Sequence, residues 1–196
     1  MNDTLVNREP VGTAVPFSAG TVPPSTHLPN AACDCHVHVY ADRFPVALGA
    51  RLTPPDASAS DYKLLQRRIG TTRTVLVTPS TYGTDNRCML EGLHAMGTEA
   101  RGVAVISGSE STSELRRLDE LGVRGIRINL SLGTSTTVDM LVPLAHRIAD
   151  LGWHLQPMPD DARQVERLVD WTGDAATLER VLVDNPQVLY GFHITS

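Results

Sequence analysis

Between residues 31 and 156 the chain alternates short apolar runs with helical stretches, and this rhythm restricts the fold more than any other feature. The runs are Ala32–Tyr40, Thr74–Thr78, Val103–Ile106, Gly125–Leu130 and Trp153–Gln156. Helices are expected near 58–69, from after Asn86 to about Met96, near 112–121 and near 137–150. The first has Ser58 or Ser60 as its start signal and Asp61 in its first turn. Strands alternating with helices require a parallel sheet with right-handed crossovers. After Gln156 the rhythm stops. Pro157–Asp161 leads into two closely spaced helical patterns near 162–171 and 174–184, with no sixth strand visible. A complete (β/α)8 barrel needs at least about 200 residues, and this chain has 196, of which residues 1–30 form a Pro/Thr/Ser/Asn-rich segment without periodicity. The expected fold class is therefore α/β: a partial (β/α)8 TIM barrel of about five parallel strands, flanking helices and two C-terminal helices. Residues 1–30 are expected to form an extended arm. Residues 31–196 would hold the incomplete barrel, with 31–156 as its first half and 157–196 as the C-terminal helices.

Parity along the strands points to a site. Residues i and i+2 of a strand share a face. His36 and His38 therefore share one face of the first strand, and Cys35, Val37 and Val39 the other. Arg127 and Asn129 alternate with Ile126, Ile128 and Leu130, and His154 and Gln156 alternate with Trp153 and Leu155. A sheet covered by helices has an apolar outer face, so the three polar pairs are expected to point inward near the strands' C-terminal ends, where barrel active sites lie. Each pair also has a structural reading: a satisfied core histidine, a buried hydrogen bond, or an arginine paired with a carboxylate. A guanidinium in a pocket suits bidentate binding of a substrate carboxylate. Ser80, Tyr82 and Asn86, in the loop after the second strand, offer hydroxyl and amide groups for substrate, although Pro79–Gly83 also reads as a plain turn. Gly133–Thr137 could cradle an anion or simply cap a helix. Cys33, Cys35 and Cys88 read as small buried hydrophobes.

Composition removes other classes. With 17 basic and 22 acidic residues the net charge is −5, and Lys/Arg form no cluster that would attract nucleic acid. No apolar run approaches a membrane span, and the N-terminus lacks the pattern of a secretory signal. Three cysteines that cannot all pair fit a reducing, cytoplasmic location.

The stretches PFSAGTVPPS, NAACDCHVHVYADRFPV, PPDASASDYKLLQRRIG, RGVAVI, GVRGIRINL and LGWHLQ, in that order, closely resemble the amidohydrolase-related family that includes 2-pyrone-4,6-dicarboxylate lactonase and D-galactarolactone isomerase. The isomerase branch looks nearest. The resemblance implies a distorted TIM barrel that opens or isomerises sugar or dicarboxylate lactones. It places His36, His38 and His154 at catalytic positions and Arg127 and Asn129 at substrate-binding ones, beside the candidates Ser80, Tyr82, Asn86 and Gln156. It implies no cofactor, with histidines and arginine polarising the lactone carbonyl and holding carboxylates. The alternative is a divalent metal such as zinc on His36 and His38, which would activate water.

The final segment, PDDARQVERLVDWTGDAATLERVLVDNPQVLYGF, resembles the family's C-terminus, so strands six to eight are expected to be missing as an internal block. With them would go the family's eighth-strand aspartate, since Asp160 and Asp161 match the loop that follows it. Five strands cannot close an eight-strand barrel, which leaves edges that the last helices or a second copy in a homodimer would have to cover. The expected partner is a small carboxylated lactone, with neither nucleic acid nor membrane. Two functions follow: a lactone hydrolase or isomerase impaired by the lost aspartate, or an inactive remnant that still binds small carboxylates.

Overall fold

The computed structural model describes residues 14–25, 28, 31–130, 136–158 and 173–180. Five strands, β1 (Cys33–Val37), β2 (Arg73–Val77), β3 (Ala100–Ala104), β4 (Val123–Asn129) and β5 (His154–Met158), form one sheet in the order β1-β2-β3-β4-β5. All run parallel, and the sheet curls into a half-barrel flanked by helices. The crossovers are α1 (Ala59–Ile69), α2 (Arg87–Met96), α3 (Thr112–Glu120) and α4 (Leu141–Ala149). Each strand of the sequence-derived array is present.

Local chemistry sets the helix boundaries. Ser58 caps α1 and Ser111 caps α3. Each serine hydroxyl accepts from the backbone N–H three residues on, and the Asp61 or Glu114 carboxylate returns the bond to the cap's own N–H. Gly70 ends α1 in the left-handed conformation (φ 90°), which a residue with a Cβ adopts only at a cost.

The core lies between the sheet and the helices. Leu76, Met89, Leu93, Ile126, Ile128, Leu144, Ile148 and Trp153 are buried in one cluster. Ile126 and Ile128 thus occupy the helix side of β4, which leaves Arg127 and Asn129 to the concave face, as parity requires.

Strand β1 departs from simple alternation. Asp34 lies opposite Thr74 and Val37 opposite Leu76, so three steps along β1 match two along β2, a β-bulge. Asp34 consequently takes the helix side, where the Tyr62 hydroxyl of α1 donates to its Oδ2 at 3.0 Å. Val39 takes the same side, against Gly92 of α2. Cys33 and Cys35, flanking Asp34, turn to the face that carries the histidines. This corrects the expectation that Cys35 shares the face of Val37 and Val39. Nor are these two buried: Cys33 is exposed and Cys35 half-buried, while Cys88 is buried.

Residues 14–25 bury Val15, and Arg68 of α1 donates to the Gly20 carbonyl and the Ser18 hydroxyl. The chain divides into two compact units, 1–157 and 158–196. In the second, α5 (Ala175–Glu179) is capped by Asp174, whose carboxylate accepts from Thr177 N at 2.8 Å, within the helical pattern expected at 174–184. The pattern at 162–171 lies outside the described residues. Among the described residues no helix is long and apolar enough to cross a membrane.

Candidate active site

The concave face collects side chains from β1, β4 and β5. The Nδ1 of His38 lies 2.7 Å from the Val77 carbonyl at the end of β2, and its Nε2 lies 3.4 Å from Nη1 of Arg127. A carbonyl oxygen can only accept, so Nδ1 carries the proton of the neutral ring and Nε2 presents its lone pair to the guanidinium. His36 meets His38 edge to face, with ring centroids 5.0 Å apart. From β5, the Gln156 Nε2 lies 3.2 Å from Nδ1 of His36. Residues 120 apart in sequence therefore meet across the curl of the sheet. Tyr40, which continues the i+2 series after His36 and His38, sets its ring edge-on to His38 at 6.2 Å. Parity carried one step past the strand would have found it.

Burial and charge make this a neutral-histidine, cationic-arginine site. Arg127 is 5% exposed. Burial pulls its pKa down, and Tyr40 partly opposes this; a guanidinium nevertheless stays protonated. His38 is lowered to about 4, by burial first and by the Arg127 charge as well, against the Val77 hydrogen bond that favours protonation. His36 is lowered by loss of hydration and by Arg127.

These shifts predict an acid-labile fold. The folded chain keeps His38 neutral down to about pH 4, whereas an unperturbed ring protonates near 6.5. Between those values the unfolded state binds more protons. The stability contributed by the neutral ring is complete above pH 6.5 and is lost as pH falls toward 4. Urea midpoints measured across this window are expected to fall with pH, and His38→Gln is expected to shallow the slope. His36 and His154 shift in the same direction, so some slope remains.

The other expected site residues are placed as follows. Asn129 is buried on the concave face two residues beyond Arg127, and its main-chain N–H donates to the Thr136 hydroxyl at 3.0 Å. Residues 131–135 of the Gly133–Thr137 stretch lie outside the described residues. His154 sits one layer below, at the start of β5, with its ring over Gly125. A Cβ on Gly125 would fall 2.4–2.7 Å from three ring atoms, so only glycine fits there. Burial lowers the His154 pKa. Gly125→Ala is expected to displace the ring and destabilise the fold by about 1–3 kcal/mol, as overpacking does. A shifted His154 NMR signal together with a lower urea midpoint would show it, and an unmoved ring would refute it.

The loop residues separate from the site. The Tyr82 hydroxyl is buried and doubly used: it accepts from Ala41 N at 2.9 Å and donates to Ala41 O at 3.0 Å. Asn86 accepts from the Thr78 hydroxyl (2.7 Å) and Val105 N (2.9 Å) and donates to Val105 O (2.8 Å) and Thr84 O (3.1 Å). Both tie the loop to its neighbours: Asn86 has both donors and both acceptor positions filled, and the Tyr82 hydroxyl has its proton committed in a buried position. Ser80 opens a short 3-10 turn, Ser80–Tyr82, and is half-buried.

Among the described residues this set does not by itself complete a divalent-cation site. His38 Nε2 is directed at a guanidinium, and among the described residues no group of three or more His, Cys, Asp or Glu side chains converges. A zinc site takes three or four such ligands. Asp34, the nearest carboxylate in sequence, is held on the helix side by Tyr62.

The family follows from comparison with known proteins. The amidohydrolase family model matches residues 33–159, the segment that holds the whole sheet. The chain belongs to the amidohydrolase family. It is 40% identical over 136 residues, 67% of this chain and 45% of the relative, to a 2-pyrone-4,6-dicarboxylate hydrolase of Comamonas testosteroni. To the D-galactarolactone isomerase of Agrobacterium fabrum it is 26% identical over 137 residues, 69% of this chain and 47% of that protein. The greater similarity is thus to the pyrone hydrolase, a correction to the expectation that the isomerase branch is nearest. A probable 2-pyrone-4,6-dicarboxylic acid hydrolase of Acinetobacter baumannii, crystallised with citric acid bound, superposes with a TM-score of 0.63 at 25% identity, covering 74% of this chain and 55% of that one. This amidohydrolase chain spans about half the length of the relatives it matches.

Proposed function

We propose that this chain recognises a small carboxylated lactone of the pyrone-dicarboxylate or sugar-lactone class, and that the reaction it supports is metal-free lactone hydrolysis or isomerisation. The observation that carries this reading is the buried Arg127 beside two neutral histidines on the concave face. Arg127 holds a substrate carboxylate by two parallel charge-assisted hydrogen bonds. His36 donates to the lactone carbonyl as negative charge develops on its oxygen, the role of an oxyanion-stabilising group. Asn129 and Gln156 supply further polar contacts from β4 and β5. Relatives that carry hydrolase and isomerase names support the class.

The test is loss of ring absorbance of 2-pyrone-4,6-dicarboxylate, and ring opening of galactarolactone, each with EDTA or with added zinc. Turnover unaffected by EDTA supports the reading, and activity that requires zinc sinks its metal-free part. A second reading, carboxylate binding without turnover, is favoured by the withdrawal of Asp34 to the helix side. Citrate binding without turnover of either lactone would select it. A second copy of the chain covering the sheet edges at β1 and β5 belongs to either reading, and sedimentation velocity tests it.

A further inference from the structure

We propose that the two histidines of β1 hold opposite tautomers and divide the work. His38 is a positioning residue whose Nε2 lone pair orients the Arg127 guanidinium, whereas His36 keeps its proton on Nε2, set by Gln156, as the donor to the bound ligand.

The wiring follows from what each neighbour can do. The Val77 carbonyl at 2.7 Å accepts only, so the His38 proton is on Nδ1. The one remaining ring nitrogen faces Nη1 of Arg127, which donates only, at 3.4 Å. The only arrangement that satisfies both neighbours is a neutral ring with Nδ1–H. Protonation would set N–H against N–H. At His36 the pattern reverses. Its Nδ1 faces the amide nitrogen of Gln156 at 3.2 Å, again a pure donor, so Nδ1 accepts and Nε2 holds the proton. With its nitrogen spent on the ring, Gln156 keeps a buried Oε1 without a hydrogen-bond partner among the described residues. That oxygen is an acceptor beside His36 for a ligand hydroxyl. The depressed pKa values of both rings agree with neutral forms at working pH. A His-x-His pair read from sequence alone suggests two equivalent ligands. Here the partners from β2, β4 and β5 make the two rings chemically unlike.

The inference rests on the carboxylate-binding reading, and the measurement separates the two. Long-range 1H–15N spectra of the whole chain at pH 7.5 report the tautomer of each ring without any ligand. The expected result is Nδ1–H at His38 and Nε2–H at His36. In Gln156→Leu, His36 is expected to lose its single tautomer while His38 is unchanged. Citrate titrations then test the positioning role. His38→Asn, whose amide can donate to the Val77 carbonyl from the Nδ1 position but is too short to place an acceptor at the Nε2 position, is expected to weaken citrate binding by about tenfold, the scale of one charge-assisted hydrogen bond. His38→Gln, whose amide oxygen can accept from the guanidinium, is expected to restore most of that loss. An Nε2–H signal at His38, or an unchanged citrate affinity in His38→Asn, overturns the inference. Expected tautomers in a chain that binds no citrate would uphold the wiring and refute the carboxylate-binding reading.

Discussion

Replacing Arg127 with methionine is expected to abolish measurable carboxylate binding while leaving the fold intact. Methionine matches the length of the arginine stem and fills the same space on β4, between Ile126 and Ile128. Arg127 is 5% exposed, so a carboxylate that reaches its guanidinium does so largely out of water, where a charge-assisted pair is strongest. Losing hydrogen bonds to a charged group costs about 1.5–3 kcal/mol each, and a bidentate contact loses two. Calorimetric titration with citrate is then expected to show a weakening of at least about a hundredfold, at the conservative end of that range. The urea unfolding midpoint of Arg127→Met, measured beside the titration, separates loss of binding from loss of fold. Arg127→Lys is expected to recover little, since an ammonium is a point charge without the planar fork. Citrate affinity in Arg127→Met equal to that of the parent chain would remove Arg127 from the site.

The largest effect on stability is expected from Leu76→Ala. Leu76 is fully buried on the helix side of β2, and its Cδ1 lies where a Cβ on Gly92 would be only 2.8 Å away. Strand and helix approach closely there because glycine leaves the room. Truncation to alanine removes three carbons, Cγ and its two methyls, from the centre of the cluster and opens a cavity that β2 and α2, held by their own hydrogen bonds, only partly refill. Such changes cost about 2–5 kcal/mol. This is a large share of a stability that for ordinary domains is only about 5–15 kcal/mol. Urea unfolding followed by far-UV circular dichroism measures it. A loss under about 1 kcal/mol would mean that the sheet and α2 do not share a packed core.

Much of this architecture is local and therefore legible in the chain. The five strands, the helices between them and the Ser58 cap follow from periodicity and capping chemistry that act over a few residues. The polar faces of β4 and β5 follow from alternation alone: Arg127 and Asn129 oppose the isoleucines, and Gln156 opposes Leu155. Alternation also gave His36 and His38 a common face, and continued one step it reaches Tyr40. What it could not show is that one extra residue in β1 sends Asp34 to Tyr62 and turns Cys33 and Cys35 to the face of the histidines, because a bulge exists only against the register of β2.

Tertiary contacts made the remaining decisions. Tyr82 and Asn86 carry the same groups as any substrate-binding tyrosine and asparagine, but Ala41, Thr78, Thr84 and Val105 occupy them. His154 shares the polar face of β5, yet its register sets it over Gly125, a layer below Arg127. For His36 and His38, sequence determined that two imidazoles stand side by side at the end of a strand. Which nitrogen of each carries the proton was decided by Val77, Arg127 and Gln156, from three other strands, because a tautomer depends on its hydrogen-bond partners and those are assembled only when the sheet curls.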